Sequence, residues 1–97
     1  MSPIVCDLSA IPADERSAHV ALARELFGDE QCVRELADGI EVLLSADRLR
    51  DAVTFIENER RCCRHLAFSL DVPSQATTFV LQVTGPGAAD ELRALIR

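Results

Sequence analysis

The chain has 97 residues, of which 48% are hydrophobic and 27% charged, and its formal net charge is −6. This length and composition predict one packed α+β domain over residues 1–97 rather than a disordered chain. An acidic domain repels a phosphate backbone, so nucleic-acid binding by this domain alone is disfavoured.

The N-terminal residues 1–8 carry neither a basic stretch nor an apolar run, which is unlike a secretory signal. No stretch of the sequence approaches the ~18 apolar residues that a membrane span requires. We therefore expect a cytoplasmic protein with no membrane partner, in which the four cysteines are thiols rather than structural disulfides. Such cysteines serve as metal ligands, as redox groups or as small apolar core residues.

The first predicted element is a helix that begins after Pro12 and ends before Gly28. Asp14 and Glu15 lie in its first turn, where negative charge suits the helix dipole. The spacing of its hydrophobic residues predicts one apolar stripe, formed by Ala18, Leu22, Ala23, Leu26 and Phe27. His19 belongs to no motif on this helix, and we interpret it as structural.

A β-hairpin is predicted next, because segments 32–36 and 40–44 flank the tight-turn pair Asp38-Gly39. Apolar residues alternate along the second strand, which makes one of its faces entirely apolar. Cys32 opens the first strand, and we interpret it as a core residue of that strand.

The second predicted helix opens at Ser45 or Asp47 and ends near Arg64. A 3.6-residue repeat places part of this helix on a buried stripe, namely Leu49, Ala52, Val53, Ile56 and Cys63. Cys62 is about 100° round the helix from Cys63, on a flank that it shares with Glu59.

A second hairpin is predicted from the alternating segments 66–72 and 79–84, and a short amphipathic helix follows over 88–97. The predicted order is α-ββ-α-ββ-α, an antiparallel sheet of two hairpins with the helices on one face. The segment 84–87 (Thr-Gly-Pro-Gly) precedes a helix and could cradle an anion. Acidic residues in that helix's first turn favour a strand stop and helix cap instead.

The densest group of reactive side chains lies at the predicted end of the second helix: Glu59-Arg60-Arg61-Cys62-Cys63-Arg64-His65. Adjacent cysteines rarely bond each other, because the small ring strains the peptide between them. Thiolate is the form that binds metal or attacks, and the arginines favour it while the helix C-terminus opposes it. The pair is interpreted either as two soft ligands or as one reactive thiol beside a buried one.

A metal site needs further ligands, and Cys6, before the first helix, and His65, after the cysteine pair, are the candidates. Three thiolates suit arsenite or mercuric ion, whereas three thiolates with His65 suit tetrahedral zinc. Against a metal site, free cysteines often fill cores, and Cys63 lies on the apolar stripe. No Ser-His-Asp arrangement, P-loop or H-E-x-x-H motif supports a hydrolase or a phosphoryl-transfer enzyme.

Two stretches resemble a family of small bacterial proteins that has no established activity: Glu59-Arg60-Arg61-Cys62-Cys63 and Leu81-Gln82-Val83-Thr84-Gly85-Pro86-Gly87-Ala88. The family pattern is E-R-x-C-C-P-F, then a hairpin that ends in T-G-P-x-G-A, then a closing helix. Some members carry a C-x-L-S segment, which is matched here by Cys6-Asp7-Leu8-Ser9. Members resemble stand-alone domains or domains fused to MerR-type regulators, which implies a link to heavy-metal or thiol stress.

The chain departs from this pattern where Arg64 and His65 replace the family's Pro and Phe. The cysteines that match the pattern are Cys6, Cys62 and Cys63. Cys32 has no counterpart.

Three hypotheses follow from these observations. The first is a non-enzymatic domain that sequesters or senses zinc, mercury or arsenic through Cys6, Cys62 and Cys63, with His65 as a candidate fourth ligand. The second is a thiol redox protein in which exposed Cys62 attacks and Cys6 or Cys63 resolves. The third is a structural module that forms a homodimer and whose cysteines only pack.

Overall fold

The computed structural model describes residues 8–96 and places three α-helices and four strands within them. In chain order these are α1 (Ala13–Phe27), β1 (Val33–Leu36), β2 (Gly39–Ser45), α2 (Leu49–Cys62), β3 (Ala67–Asp71), β4 (Thr78–Thr84) and α3 (Ala88–Ile96). The strands form one antiparallel sheet in the order β1-β2-β4-β3. The predicted α-ββ-α-ββ-α order of an α+β fold is confirmed.

The two hairpins join through their long strands, β2 and β4. Three pairs on the apolar face of these strands face each other in register: Ile40 with Val83, Val42 with Leu81, and Leu44 with Phe79. All six side chains are buried in the core together with residues of the three helices. The alternation in the sequence predicted this face correctly, because a strand turns every second side chain to the same side.

Gly39 begins β2 at a point where the backbones of two strands come close together. A Cβ atom at this position would overlap the Val83 carbonyl oxygen and lie 2.8 Å from the Thr84 Cα. The Asp38-Gly39 turn therefore needs glycine for space as well as for its tight geometry.

The buried face of α1 differs from the predicted stripe. Its buried residues are His19, Ala23, Leu26 and Phe27, whereas Ala18 is exposed. The helix rests on α2 along one side and on α3 along the other. His19, which was interpreted only as a structural residue, therefore lies inside the domain at the contact between α1 and α2.

The buried face of α2 is also rotated from the predicted stripe. It consists of Ala52, Phe55, Glu59 and Cys62, and Val53 is 40% exposed. The flank to which Cys62 and Glu59 were assigned is in fact the inner face. Phe55 is completely buried and contacts three other rings, those of His19, Phe27 and Phe68.

Candidate metal centre

A cluster of polar groups lies where the inner faces of α1 and α2 meet. His19 comes from α1, whereas Glu59 and Cys62 come from the last turns of α2. Residues three apart on a helix share a face, so Glu59 and Cys62 point to the same side. The side chains of His19 and Glu59 are 0% and 4% exposed, and Cys62 is buried as well.

The Glu59 carboxylate is the centre of this cluster. Its Oε2 atom lies 3.3 Å from His19 Nε2 and accepts a hydrogen bond of 3.1 Å from the Cys62 thiol. The Cys63 sulfur lies 3.6 Å from the same oxygen and 3.6 Å from the Cys62 sulfur. One carboxylate oxygen is therefore in contact with a nitrogen and two sulfurs.

Hydrophobic side chains enclose the cluster. The Phe55 ring stacks on the His19 ring with centroids 5.6 Å apart and an interplanar angle of 23°. Ile11, which is completely buried, packs against Cys62 and Cys63. Nothing within residues 8–96 forms a hydrogen bond with the buried Nδ1 atom of His19. An enclosure of this kind strengthens electrostatic interactions, because water cannot screen them.

The environment of Cys62 disfavours its thiolate. Burial, followed by the hydrogen bond and negative charge of Glu59, raises the pKa of Cys62 to about 12. The arginines of this segment, which were expected to favour a thiolate only if they approach closely, do not lower the pKa of Cys62. Arg61 lies 3.7 Å from Glu15 on α1, and Arg60 and Arg64 line a cleft of about 270 Å³ beside Cys63.

The cysteines predicted as ligands have different surroundings. Cys62 belongs to the cluster, but it is buried and not exposed as the redox hypothesis assumed. Cys63 is in contact with the cluster but is disulfide-bonded, which contradicts the expectation that it is a thiol. Cys6 lies outside the described residues, so its predicted role stays a prediction. Cys32 is a free, partly exposed thiol that precedes β1 and donates to Asp29 over 3.5 Å.

His65 contacts an acidic residue of α3 rather than the cysteines. Its Nε2 atom lies 3.1 Å from Glu91 Oε1, and both side chains are mostly buried. Burial raises the pKa of Glu91, the charge of His65 lowers it, and Glu59 raises it further. The pair of His65 and Glu91 is therefore close enough to the cluster for the charge of Glu59 to affect the pKa of Glu91. His65 is not a member of the group formed by His19, Glu59 and Cys62.

Sequence reasoning missed two members of the cluster, His19 and Glu59. Within the described residues, the ligand atoms of His19, Glu59 and Cys62 all lie within 4.8 Å of one another, so this buried group can hold a metal ion. Its donors are one nitrogen, one oxygen and one sulfur atom.

Comparison of the chain with protein-family models, with curated protein sequences and with solved structures gave no match. The resemblance to a bacterial family therefore stays a prediction. No helix in the described part of the chain is long and apolar enough to cross a membrane.

We expect Cys62 to resist alkylation in the folded protein. With a pKa of about 12, it forms roughly a thousandfold less thiolate than an ordinary cysteine at neutral pH, and burial restricts access further. Rates of iodoacetamide labelling at pH 8, followed by peptide mass mapping, should be much slower for Cys62 than for Cys32. Equal rates would contradict the buried geometry.

The raised pKa of Cys62 also predicts how the stability of the folded protein depends on pH. Because the pKa of Cys62 is raised above its ordinary value of 9.0, the protonated thiol favours the folded state below about pH 9. This contribution is lost as the pH rises toward 12.

In Glu59→Gln the iodoacetamide labelling of Cys62 should become faster than in the wild type. The carboxylate no longer opposes the thiolate in this variant, while the burial of Cys62 is retained.

Proposed function

We propose that this protein binds a thiophilic divalent metal ion of the zinc class at His19, Glu59 and Cys62, and that it sequesters or senses this ion. The observation that carries the proposal is that three buried ligand atoms from two helices lie within 4.8 Å of one another. Buried polar groups are costly unless they are paired or coordinate a metal. A bound cation would offset the free-energy cost of burying these three polar side chains.

Charge balance supports a divalent ion. A neutral His19, an ionised Glu59 and a thiolate at Cys62 carry a total charge of −2, which a divalent cation neutralises. Without metal, the cluster keeps a proton on Cys62, whose pKa is about 12. Metals bind thiolates by displacing such protons, so the raised pKa is a barrier that a strongly sulfur-binding ion overcomes.

The donor set favours zinc over the metalloids considered from the sequence. Arsenite and mercuric ion prefer several thiolates, whereas zinc accepts sulfur, imidazole nitrogen and carboxylate oxygen together. In the described cluster Cys62 is a free thiol and Cys63 is disulfide-bonded. A mixed site for zinc, or for an ion of similar preference such as cadmium, therefore fits better than a site made of thiolates alone.

A thiol redox role is the second candidate. It is favoured by the free Cys62 thiol, 3.6 Å from the disulfide-bonded sulfur of Cys63. It is opposed by the raised pKa of Cys62, because thiol–disulfide exchange proceeds through the thiolate. The metal ion needs no preformed thiolate, and we therefore rank metal binding first.

Titration with Co²⁺, a spectroscopic substitute for Zn²⁺, tests the proposal. We expect one ion per chain, with the visible bands of a tetrahedral site and a near-ultraviolet sulfur-to-cobalt charge-transfer band. Cys62→Ser should lose the charge-transfer band, and His19→Gln should bind at least tenfold more weakly. Cys32→Ser is the matched control, because it removes a thiol outside the cluster and should bind like the wild type.

Native mass spectrometry with Zn²⁺, Hg²⁺ and arsenite completes the test. Stoichiometric binding of Zn²⁺ that is lost in Cys62→Ser supports the proposal. A folded wild-type protein that binds none of these ions, or that loses them equally in Cys32→Ser, contradicts it. Binding of arsenite in preference to zinc would point to a thiolate-only site elsewhere in the chain.

A further inference from the structure

We infer that Cys63 is the fourth ligand of the centre at His19, Glu59 and Cys62, and that its disulfide keeps the centre incomplete until it is reduced. This inference rests on the proposed function. It adds a ligand and a redox control to that site.

The distances within the cluster carry the first step. In tetrahedral zinc sites the ligand atoms are about 3.8 Å apart for two sulfurs, about 3.6 Å for sulfur and oxygen, and about 3.4 Å for nitrogen and oxygen, given the usual metal–ligand lengths. The corresponding separations are 3.6 Å between the two sulfurs, 3.6 Å from Cys63 to Glu59, and 3.3 Å from His19 to Glu59. The Cys62–Glu59 separation is shorter, 3.1 Å, since the thiol donates a hydrogen bond.

The end of α2 explains how two adjacent cysteines reach one point. Consecutive residues of a helix point about 100° apart, which would separate the two sulfurs. Cys63 has left helical geometry, with φ −124° and ψ 75°, while its N–H still donates to the Glu59 carbonyl oxygen over 2.6 Å. The chain thus turns at Cys63, and its sulfur lies beside that of Cys62 rather than on another face.

The disulfide prevents Cys63 from acting as a ligand, because a metal binds the thiolate and a disulfide sulfur carries neither the charge nor a removable proton. A dithiol reductant donates two electrons and two protons, the S–S bond breaks, and Cys63 and its bonding partner become thiols while the dithiol becomes a disulfide. The metal ion then displaces the Cys63 proton to solvent as the fourth metal–ligand bond forms.

The two arginines beside Cys63 suit this change. A thiolate at Cys63 adds one negative charge to a site that a divalent ion otherwise neutralises. Arg60 and Arg64 line the open cleft next to Cys63 together with Leu66, so positive charge is available where the new negative charge forms.

The test compares the affinity of the full chain for Zn²⁺ in the oxidised state and after treatment with a phosphine, which reduces disulfides without offering a thiol ligand. Competition with a chromophoric chelator measures the affinity. We expect at least tenfold tighter binding after reduction, and we expect the Co²⁺ charge-transfer band to become markedly stronger as a second thiolate binds.

Cys63→Ser separates this inference from its alternatives. In this variant, affinity and Co²⁺ spectrum should be the same with and without phosphine and should match the oxidised wild type. If the variant instead binds Zn²⁺ as tightly as the reduced wild type, with or without phosphine, the added ligand is the other half of the disulfide and the inference is wrong. If wild type binds equally in both states, the inference fails and the proposed function stands; if neither state binds metal, both fail.

Discussion

Replacing both His19 and Glu59 with leucine should abolish metal binding. In the absence of metal, this double variant should be at least as stable as the wild type. Both side chains are almost fully buried, and replacing a buried pair of polar or charged residues by well-packed apolar residues of similar volume is neutral or stabilising in many proteins. Leucine is close in volume to both residues, and at position 19 it would pack against Phe55, on which the His19 ring stacks. We expect this result for a binding site, because the buried polar groups that bind the ligand lower the stability of the ligand-free fold.

The single substitutions should behave in the opposite way. His19→Leu leaves the buried Glu59 carboxylate without its histidine, and Glu59→Leu leaves the His19 ring without the carboxylate at Nε2. Removing one partner of a buried pair costs about 3–5 kcal/mol. Denaturant unfolding of all four proteins in the presence of a chelator gives the coupling energy as a double-mutant cycle.

The exposed pair Arg48 and Glu25, whose atoms are 2.9 Å apart, provides the matched control. The same cycle with leucine at these two positions should give a coupling below about 1 kcal/mol, because exposed ion pairs contribute little. If the double variant at His19 and Glu59 lost as much stability as the sum of its single variants, the pair would be structural. Such a result would remove one argument for the metal centre.

The fold could be predicted because its signals are local. Alternation along β2 and β4 identifies the buried face of each strand, and Asp38-Gly39 identifies the turn between β1 and β2. Each of these signals depends on residues within a few positions of one another. The register between β2 and β4 follows from burying the same apolar face of both strands.

The candidate centre could not be predicted in the same way, because its main contact joins His19 and Glu59 across 40 positions of sequence. Both residues also lie where hydrophobic periodicity is misleading. His19 is four residues before Ala23, and Glu59 lies between Phe55 and Cys62 on the inner face of α2. Counting only apolar residues rotates the predicted stripe away from these polar ones and toward Val53, which is 40% exposed.

A signal for the centre was nevertheless present in the sequence. On α2, a glutamate interrupts a stripe of Ala52, Phe55 and Cys62 at the position that the 3.6-residue repeat would bury. A charged residue at such a position needs a partner from another element, and His19 fills the equivalent interruption on α1. The turn at Cys63, which brings the two sulfurs together, depends on how α2 ends, and helix ends are the least predictable part of a sequence pattern.

The second large expected effect is a rise in thermal stability with Zn²⁺. A ligand that binds only the folded state stabilises it by about 2.7 kcal/mol at a hundred times its dissociation constant. For a domain of this size, 1 kcal/mol raises the unfolding temperature by about 4–8 °C. We therefore expect a rise of roughly 10–20 °C under these conditions, measured by calorimetry or circular dichroism on the reduced protein.

Two dependences identify the source of this rise. Because Zn²⁺ must displace the proton of Cys62, whose pKa is about 12, protons compete with the metal and the rise should shrink as the pH falls from 8 to 6. It should also be much smaller in Cys62→Ser, retained in Cys32→Ser and absent with Mg²⁺, which prefers oxygen ligands. A rise that was unchanged in Cys62→Ser or insensitive to pH would place the zinc on other groups, since removal of the thiol would then leave the ion's affinity for the folded state intact.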